Sequence, residues 1–406
     1  MTCLNSSLAK QHTCFDVAIA GAGPAGTSAA IHLATAGARV LLVEQKKFPR
    51  EKLCGEFISP ECLDHFARLG VAQRMISSGG ASLNRTVFYS RSGHCVGVPS
   101  EWFGSGKLAL GLSRAEMDKN LLERAKEVGV VVIEGIPVSD VLMKRQAVQG
   151  LHLKVAGPAK DYHALVTIDA TGRTRALARP LERERHSLPK KARLVAFKAH
   201  LENTRVTEGV CEIYFYSGGY GGLSSVEHGL SNLCFIASAE DVRRCESKPE
   251  RVIQEIVSKN ARAAFTLAGA QARSEWLAVS LERFGRAIPV PALGMLTVGD
   301  AAAFIDPFTG SGMLMALESG EVAARAIISH LDELRLDQCF EPVARDYRLQ
   351  YAQRFNSRLR ISAVLRRAAF LPRLAEAAII LTSASDRLRC KLARATRRGT
   401  KKIVEA

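Results

Sequence analysis

The chain has 406 residues, 47% of them apolar, with ten cysteines and a net charge of +16. Its length buries a substantial core and suggests two or so domains, while no stretch reaches the ~18 consecutive apolar residues of a membrane-spanning helix. From Arg358 to the end, 13 Lys and Arg face only Glu376, Asp386 and Glu405, so most of the positive charge is C-terminal and the body has no nucleic-acid face.

Residues 1–14 carry Lys10 but no apolar run of signal-peptide length, and a disordered leader is expected there. The first strand reads Phe15-Asp16-Val17-Ala18-Ile19-Ala20. It turns through Gly21-Ala22-Gly23-Pro24-Ala25-Gly26 into a small-residue helix. In that turn Gly21 permits the sharp reversal, Gly23 lets the backbone approach a pyrophosphate, and Gly26 lets helix and strand pack closely. A second apolar run, Ala38 to Val43, ends at Glu44, 18 residues past the last glycine, where a carboxylate meets an adenosine ribose. Strand, glycines, helix, strand and terminal acid together predict a dinucleotide site, with Pro24, Ala25 and Gln45 among its contacts.

A charged loop, Gln45 to Glu56, and a helix from Pro60 to Leu69 follow, then short alternating strands over 81–110, such as Thr86 to Tyr89 and Cys95 to Val98. Ser113 and Glu116 have capping-box spacing and start a helix that runs to Gly129. Val130 to Ile133 and Ala164 to Ile168 read as strands, the second ending at Asp169-Ala170-Thr171-Gly172. Residues 190–285 return to strands, interrupted by a helix expected from Glu250 to Leu267. Met295 to Val298 leads into Gly299-Asp300, and Gly310-Ser311-Gly312 opens a helix to about His330. An acid after a strand can bind a ribityl hydroxyl, and a glycine-rich helix start offers N–H groups to an electron-rich flavin carbonyl. No C-x-x-C pair supports a metal site, and scattered cysteines make a reducing, cytoplasmic home the default.

The G-x-G-x-x-G at Gly21–Gly26, the D-A-T-G at Asp169–Gly172 and the G-D-A-A…P…G-x-G from Gly299 to Gly312 occur in order. With them the chain resembles the FAD-dependent oxidoreductases that include p-hydroxybenzoate hydroxylase and geranylgeranyl reductase. The resemblance implies an α/β fold: a Rossmann-like FAD-binding domain split over 15–80, 111–185 and 286–335. A β-rich substrate domain is inserted at 81–110 and 186–285, and a basic helical segment covers 336–406. It implies that Gly21, Gly23, Gly26 and Glu44 hold the ADP half, that Asp300 holds the ribityl chain, and that Pro307 and Gly310, Ser311 and Gly312 lie beside the flavin ring. Arg114 matches an arginine at a helix start near FAD, while Asp169, Gly172 and Gly299 back the cofactor. NAD(P)H is the implied electron donor.

Lys52-Leu53-Cys54-Gly55-Glu56 resembles the C-G-E loop of geranylgeranyl reductase-like proteins, which makes Cys54 and Glu56 catalytic candidates. Tyr220 joins them from the inserted domain, where Tyr214 and Tyr216 share a sheet face and His228 marks a turn. The segment Tyr220 to Ser225 lacks the Trp and Pro of the prenyl-tunnel motif, and no W-x-W-x-I-P halogenase segment occurs. The expected reaction is therefore hydroxylation of a small aromatic or polyketide-like compound through a flavin C4a-hydroperoxide. Alkene reduction of the geranylgeranyl reductase kind is the alternative, and a flavoprotein that supports a partner is a third reading. Residues 358–406, basic and amphipathic, suit peripheral contact with a membrane or a protein, or packing on the enzyme.

Overall fold

The computed structural model describes residues 14–103, 106–154, 160–182, 193–281, 284–306, 308, 310–395 and 397. Residues 1–13 of the expected leader fall outside that set, and the first strand already begins at Cys14, paired with His163. Pro307 also lies outside the described residues.

Four parallel strands, Val131–Glu134, Val40–Glu44, Cys14–Ala20 and Lys160–Asp169, form the centre of one sheet, with Met295–Thr297 parallel to the last of them. Cys14–Ala20 lies between neighbours, and Val17 and Ile19 are fully buried, as an apolar run in a covered parallel sheet requires. The carboxyl ends of these strands lie at Ala20, Glu44, Asp169 and Thr297, the edge where such sheets bind ligands. An antiparallel hairpin, Val138–Lys144 with Ala147–Leu153, extends the sheet. Its turn residues Arg145 and Gln146 both adopt positive φ without a glycine, so the sequence carried no turn signal there.

Arg85–Tyr89 and Cys95–Pro99 join Leu194–Glu202, Val210–Tyr216, Gly219–Ser225, Ser231–Ser238 and Leu277–Leu281 in a second sheet. Val210–Tyr216 pairs parallel with Arg85–Tyr89 and thereby links two stretches separated by over a hundred residues. The helix expected from Glu250 to Leu267 is broken into Pro249–Glu255 and Ala261–Thr266. Asn260 causes the break: its side chain accepts from Arg262 N and Ala263 N at 3.0 and 3.1 Å. Its amide donates to the carbonyls of Tyr89, Ser90 and Phe215, so a helix start is pinned to two strands. Tyr214 and Tyr216 do share a face, but both are buried in the sheet's core, bonded to Glu212 and the Ile236 carbonyl.

The helices Pro24–Thr35 and Gly312–Ile328 pack through small residues. A Cβ on Gly320 would lie 2.3 Å from the Ala25 carbonyl, and Ser28 Oγ donates to Leu317 O at 2.9 Å. Helix Glu341–Ala369 covers this pair and buries Tyr347, Tyr351 and Phe355 at helical spacing. It is clamped by charge: Arg354 and Arg358 both bond the buried Glu318, which also faces His65 at 3.8 Å. Its neighbour Glu321 bonds His65 and Arg68, both at 3.0 Å.

The Glu318 carboxyl is buried, which favours its neutral form, yet His65, Arg358 and Arg354 outweigh burial and hold it down at about 2 against an ordinary 4.5. A depressed folded value stabilises the fold above pH ~4.5 and withdraws that stability as pH falls toward ~2, by about 3 kcal/mol. Chemical denaturation from pH 6 to 2 is expected to show a shallower acid loss for Glu318→Gln than for wild type. Identical profiles would contradict the clamp.

Candidate functional site

The carboxyl edge of the parallel sheet opens into a continuous cavity of about 940 Å³ that extends to the second sheet and the C-terminal helices. Its nucleotide end is shaped by backbone. Gly21 has φ +104, and a Cβ on it would lie 2.4 Å from the Ala170 carbonyl; one on Gly26 would lie 1.9 Å from Gly21 O. Those two glycines fit strand to helix. Gly23 differs, because its Cβ would meet open space, with only Arg114 Nη2 at 3.9 Å and Arg50 Nη2 at 4.0 Å. A bare backbone at a helix start, beneath two guanidiniums, is a cradle for a pyrophosphate.

Both arginines are held in place. Asp118, fully buried, takes Arg114 Nε and Nη2 at 2.9 and 2.8 Å and Arg50 Nη1 at 3.0 Å. The Asp118 carboxylate keeps Arg114 charged despite burial. Glu44 accepts from Ala22 N at 3.0 Å and Lys46 N at 3.1 Å, which fixes the glycine turn against the second strand. Pro24, Ala25 and the exposed Gln45 also line this end. Arg50, close to the phosphate cradle, was missed in the sequence because it sits among the like-charged residues of the Gln45–Glu56 loop.

Asp300 lines the cavity and makes no hydrogen bond among the described residues. Burial pushes its carboxyl up, against the opposing charges of Arg114 and Lys52. A partnerless carboxylate in a cavity fits a ribityl hydroxyl. Gly299 has φ +59 and donates its N–H to Ser319 Oγ at 2.8 Å. Gly310, at φ +58, and Gly312 line the cavity where helix Gly312–Ile328 begins, and Ser311 is its buried N-cap.

Asp169 backs the cavity through its own loop. Its carboxylate accepts from Thr171 N, Thr171 Oγ1, Leu177 N and Ala178 N, so it organises the loop that presents Ala170, Thr171 and Gly172 to the cavity. Gly172, at φ +78, lines that wall with open space above it.

The three catalytic candidates lie along the same cavity. Burial pushes the Cys54 thiol up, against the lowering influence of Arg114, so it stays protonated, and Glu56 N donates to its sulfur at 3.4 Å. Glu56 is fully buried at φ +53, and its carboxylate receives Arg114 N at 2.9 Å, Lys198 Nζ at 3.0 Å and His200 Nε2 at 2.6 Å. With those donors Glu56 is a positioning residue that ties the Cys54 loop to the second sheet. Glu51, Glu56 and His200 converge as metal ligands might, but the Lys198 ammonium bonds both carboxylates and supplies the counter-charge. Tyr220 Oη donates to Asp306, and burial pushes both groups up. Its ring meets Phe308 and Phe370 edge-on at 5.5 and 5.9 Å. His228 is exposed on its turn, while neighbouring Glu227 accepts Ser113 N at 2.9 Å.

A family model described as an FAD binding domain matches residues 14–342. The chain belongs to that FAD-binding family. Among curated relatives, it is 27% identical over 336 residues to menaquinone reductase of Mycolicibacterium smegmatis, covering 77% of this chain and 76% of that one. It is 25% identical over 345 residues to digeranylgeranylglycerophospholipid reductase of Methanosarcina mazei, covering 82% and 81%. Among solved structures, the flavin-dependent brominase Bmp2 superposes with a TM-score of 0.78 at 21% identity, over 95% of this chain and 93% of that one, a likeness of fold. The protein is an FAD-dependent oxidoreductase, and the Gly23 cradle, the paired arginines and Asp300 are where FAD fits.

Gly23→Val separates cofactor from fold. The new side chain enters the empty cradle, so the variant is expected to fold with the thermal midpoint of the FAD-free wild type and to lose FAD affinity by more than about tenfold. Absorbance near 450 nm and thermal melting check this, and full flavin occupancy would contradict the assignment.

Proposed function

We propose that this FAD-dependent oxidoreductase reduces carbon–carbon double bonds in an apolar, isoprenoid-type substrate, with NAD(P)H as electron donor. The observation that carries this reading is the far end of the cavity. Beyond Gly310 it runs between the second sheet and the C-terminal helices, walled by Phe88, Val96, Phe215, Ile236, Leu281 and Ile379. Such a chamber suits a long hydrocarbon chain better than a small polar ring, because each buried methylene contributes about 0.8 kcal/mol. The names of both relatives above specify isoprenoid-bearing lipids, which agrees with the wall. The missing Trp and Pro of the tunnel motif do not weigh against it, since other segments supply the apolar lining.

FAD bound here and reduced by the NAD(P)H donor would supply a hydride to an alkene or electrons to oxygen. The chain's own residues exclude water and position the substrate. Tyr220 Oη, paired with Asp306 within that apolar wall, would give its O–H proton to the second carbon of the reduced bond and recover one from the Asp306 carboxyl, which burial pushes toward its protonated form. Cys54, neutral by burial, offers a soft contact beside the Gly55 turn.

Product analysis decides between reduction and the hydroxylation expected from the sequence. Turnover of a prenyl lipid is expected to proceed equally under argon and air, giving a saturated bond and no label from ¹⁸O₂. An oxygen-dependent product that carries the label would overturn reduction in favour of hydroxylation. Tyr220→Phe is expected to lower kcat about 10²-fold with FAD content unchanged; an unaltered kcat would remove the proton-source role.

A further inference from the structure

The C-terminal helices present two faces. On Pro372–Ser383, Ala375 and Ile379 are buried against the second sheet, with Phe215 and Tyr220 in the same cluster. The opposite face carries Leu374, Ala377 and Leu381 at i, i+3, i+7 spacing, with Ile380 beside them. Leu374 is 51% exposed, Ile380 48% and Leu381 65%. The helix is thus apolar on both sides, and among the described residues only one side is covered by the body.

The next helix, Asp386–Ala395, continues this surface with charge. Arg387, Lys391 and Arg394 are exposed at i, i+4, i+7 spacing and form a basic stripe. Over 386–402 the sequence holds eight Lys and Arg against Asp386. The helix is fixed to the body by Arg389, stacked 5.6 Å over Trp102, and by Arg394 Nε donating to the Trp102 carbonyl at 3.1 Å. Thr382, Arg389 and Leu392 also line the cavity, so its wall reaches the junction of the two helices.

We propose that these two helices seat the enzyme on an anionic lipid surface, with the Leu374–Leu381 stripe inserted and Arg387 and Lys391 against phosphate headgroups. An apolar face flanked by positive charge matches the layered chemistry of such a surface, apolar acyl chains beneath anionic phosphate. A soluble protein partner would bury the apolar stripe but gives no reason for the unbalanced charge beside it. The same helices form one wall of the cavity, so a substrate dissolved in the lipid would enter at the docked face. The surface claim stands apart from the proposed reaction, because its test involves no turnover.

Flotation of the FAD-loaded full chain tests it, with vesicles of phosphatidylcholine alone or mixed with phosphatidylglycerol. Wild type is expected to co-float with the mixed vesicles, to bind neutral ones at least about tenfold more weakly, and to be released by high salt. Leu374→Glu/Leu381→Glu and, separately, Arg387→Gln/Lys391→Gln are each expected to lower partition about tenfold. None of these four side chains lines the cavity, so flavin content and thermal midpoint should stay at wild-type values. The charge variant alters only exposed side chains, which keeps the test valid if the apolar one misfolds. Absence of vesicle binding, equal binding to neutral and anionic vesicles, or wild-type partition of the charge variant would overturn the proposal.

Discussion

Backbone packed against backbone is the constraint on which this structure depends. Gly21 sits under the Ala170 carbonyl, Gly26 against Gly21 itself and Gly320 against the Ala25 carbonyl, with Gly299 against the Ala25 methyl beside them. Together these contacts allow two helices, Pro24–Thr35 and Gly312–Ile328, to start at the same cavity and aim their unpaired N–H groups at it. A side chain at any of these positions would push a helix start away from its target. Gly23 is free of that packing, and its open backbone faces the cavity.

Once the two helix starts are fixed, buried charge orders the rest. Asp118 sets Arg50 and Arg114 over the nucleotide end. Glu56 ties the Cys54 loop to Lys198 and His200 on the second sheet, joining two walls of the cavity. Glu318 does the same for the long C-terminal helix through Arg354 and Arg358. Removing one partner from such a cluster leaves an uncompensated buried charge, costing about 3–5 kcal/mol. These clusters therefore fix relative position more than they add net stability.

The glycine turn, the strand that ends at Glu44 and the turn into helix Gly312–Ile328 were legible in the sequence as structure, because their geometry demands particular residue types at fixed spacing. Arg114 was singled out through the family resemblance, which places an arginine at a helix start near FAD. Arg50 was not, since a charged loop offers no period from which to choose one arginine. Asp169 stayed open for a related reason: an acid after a strand looks the same whether it bonds a ligand or its own loop. The broken helix at Asn260 and the Arg145–Gln146 turn were hidden because tertiary contacts, not local propensity, decide them. The role of the C-terminal helices as a cavity wall depends on packing across nearly 300 residues, which no local pattern carries.

The central claim is that one cavity holds FAD at the glycine cradle and an apolar chain beyond it. A crystal structure of the FAD-loaded protein with a long prenyl lipid tests this most directly. The account predicts pyrophosphate density over Gly23 between Arg50 and Arg114, the flavin ring beside Gly310 and Gly312, and lipid density between Phe215 and Ile379. A flavin placed elsewhere, or a lipid found only outside that chamber, would contradict it.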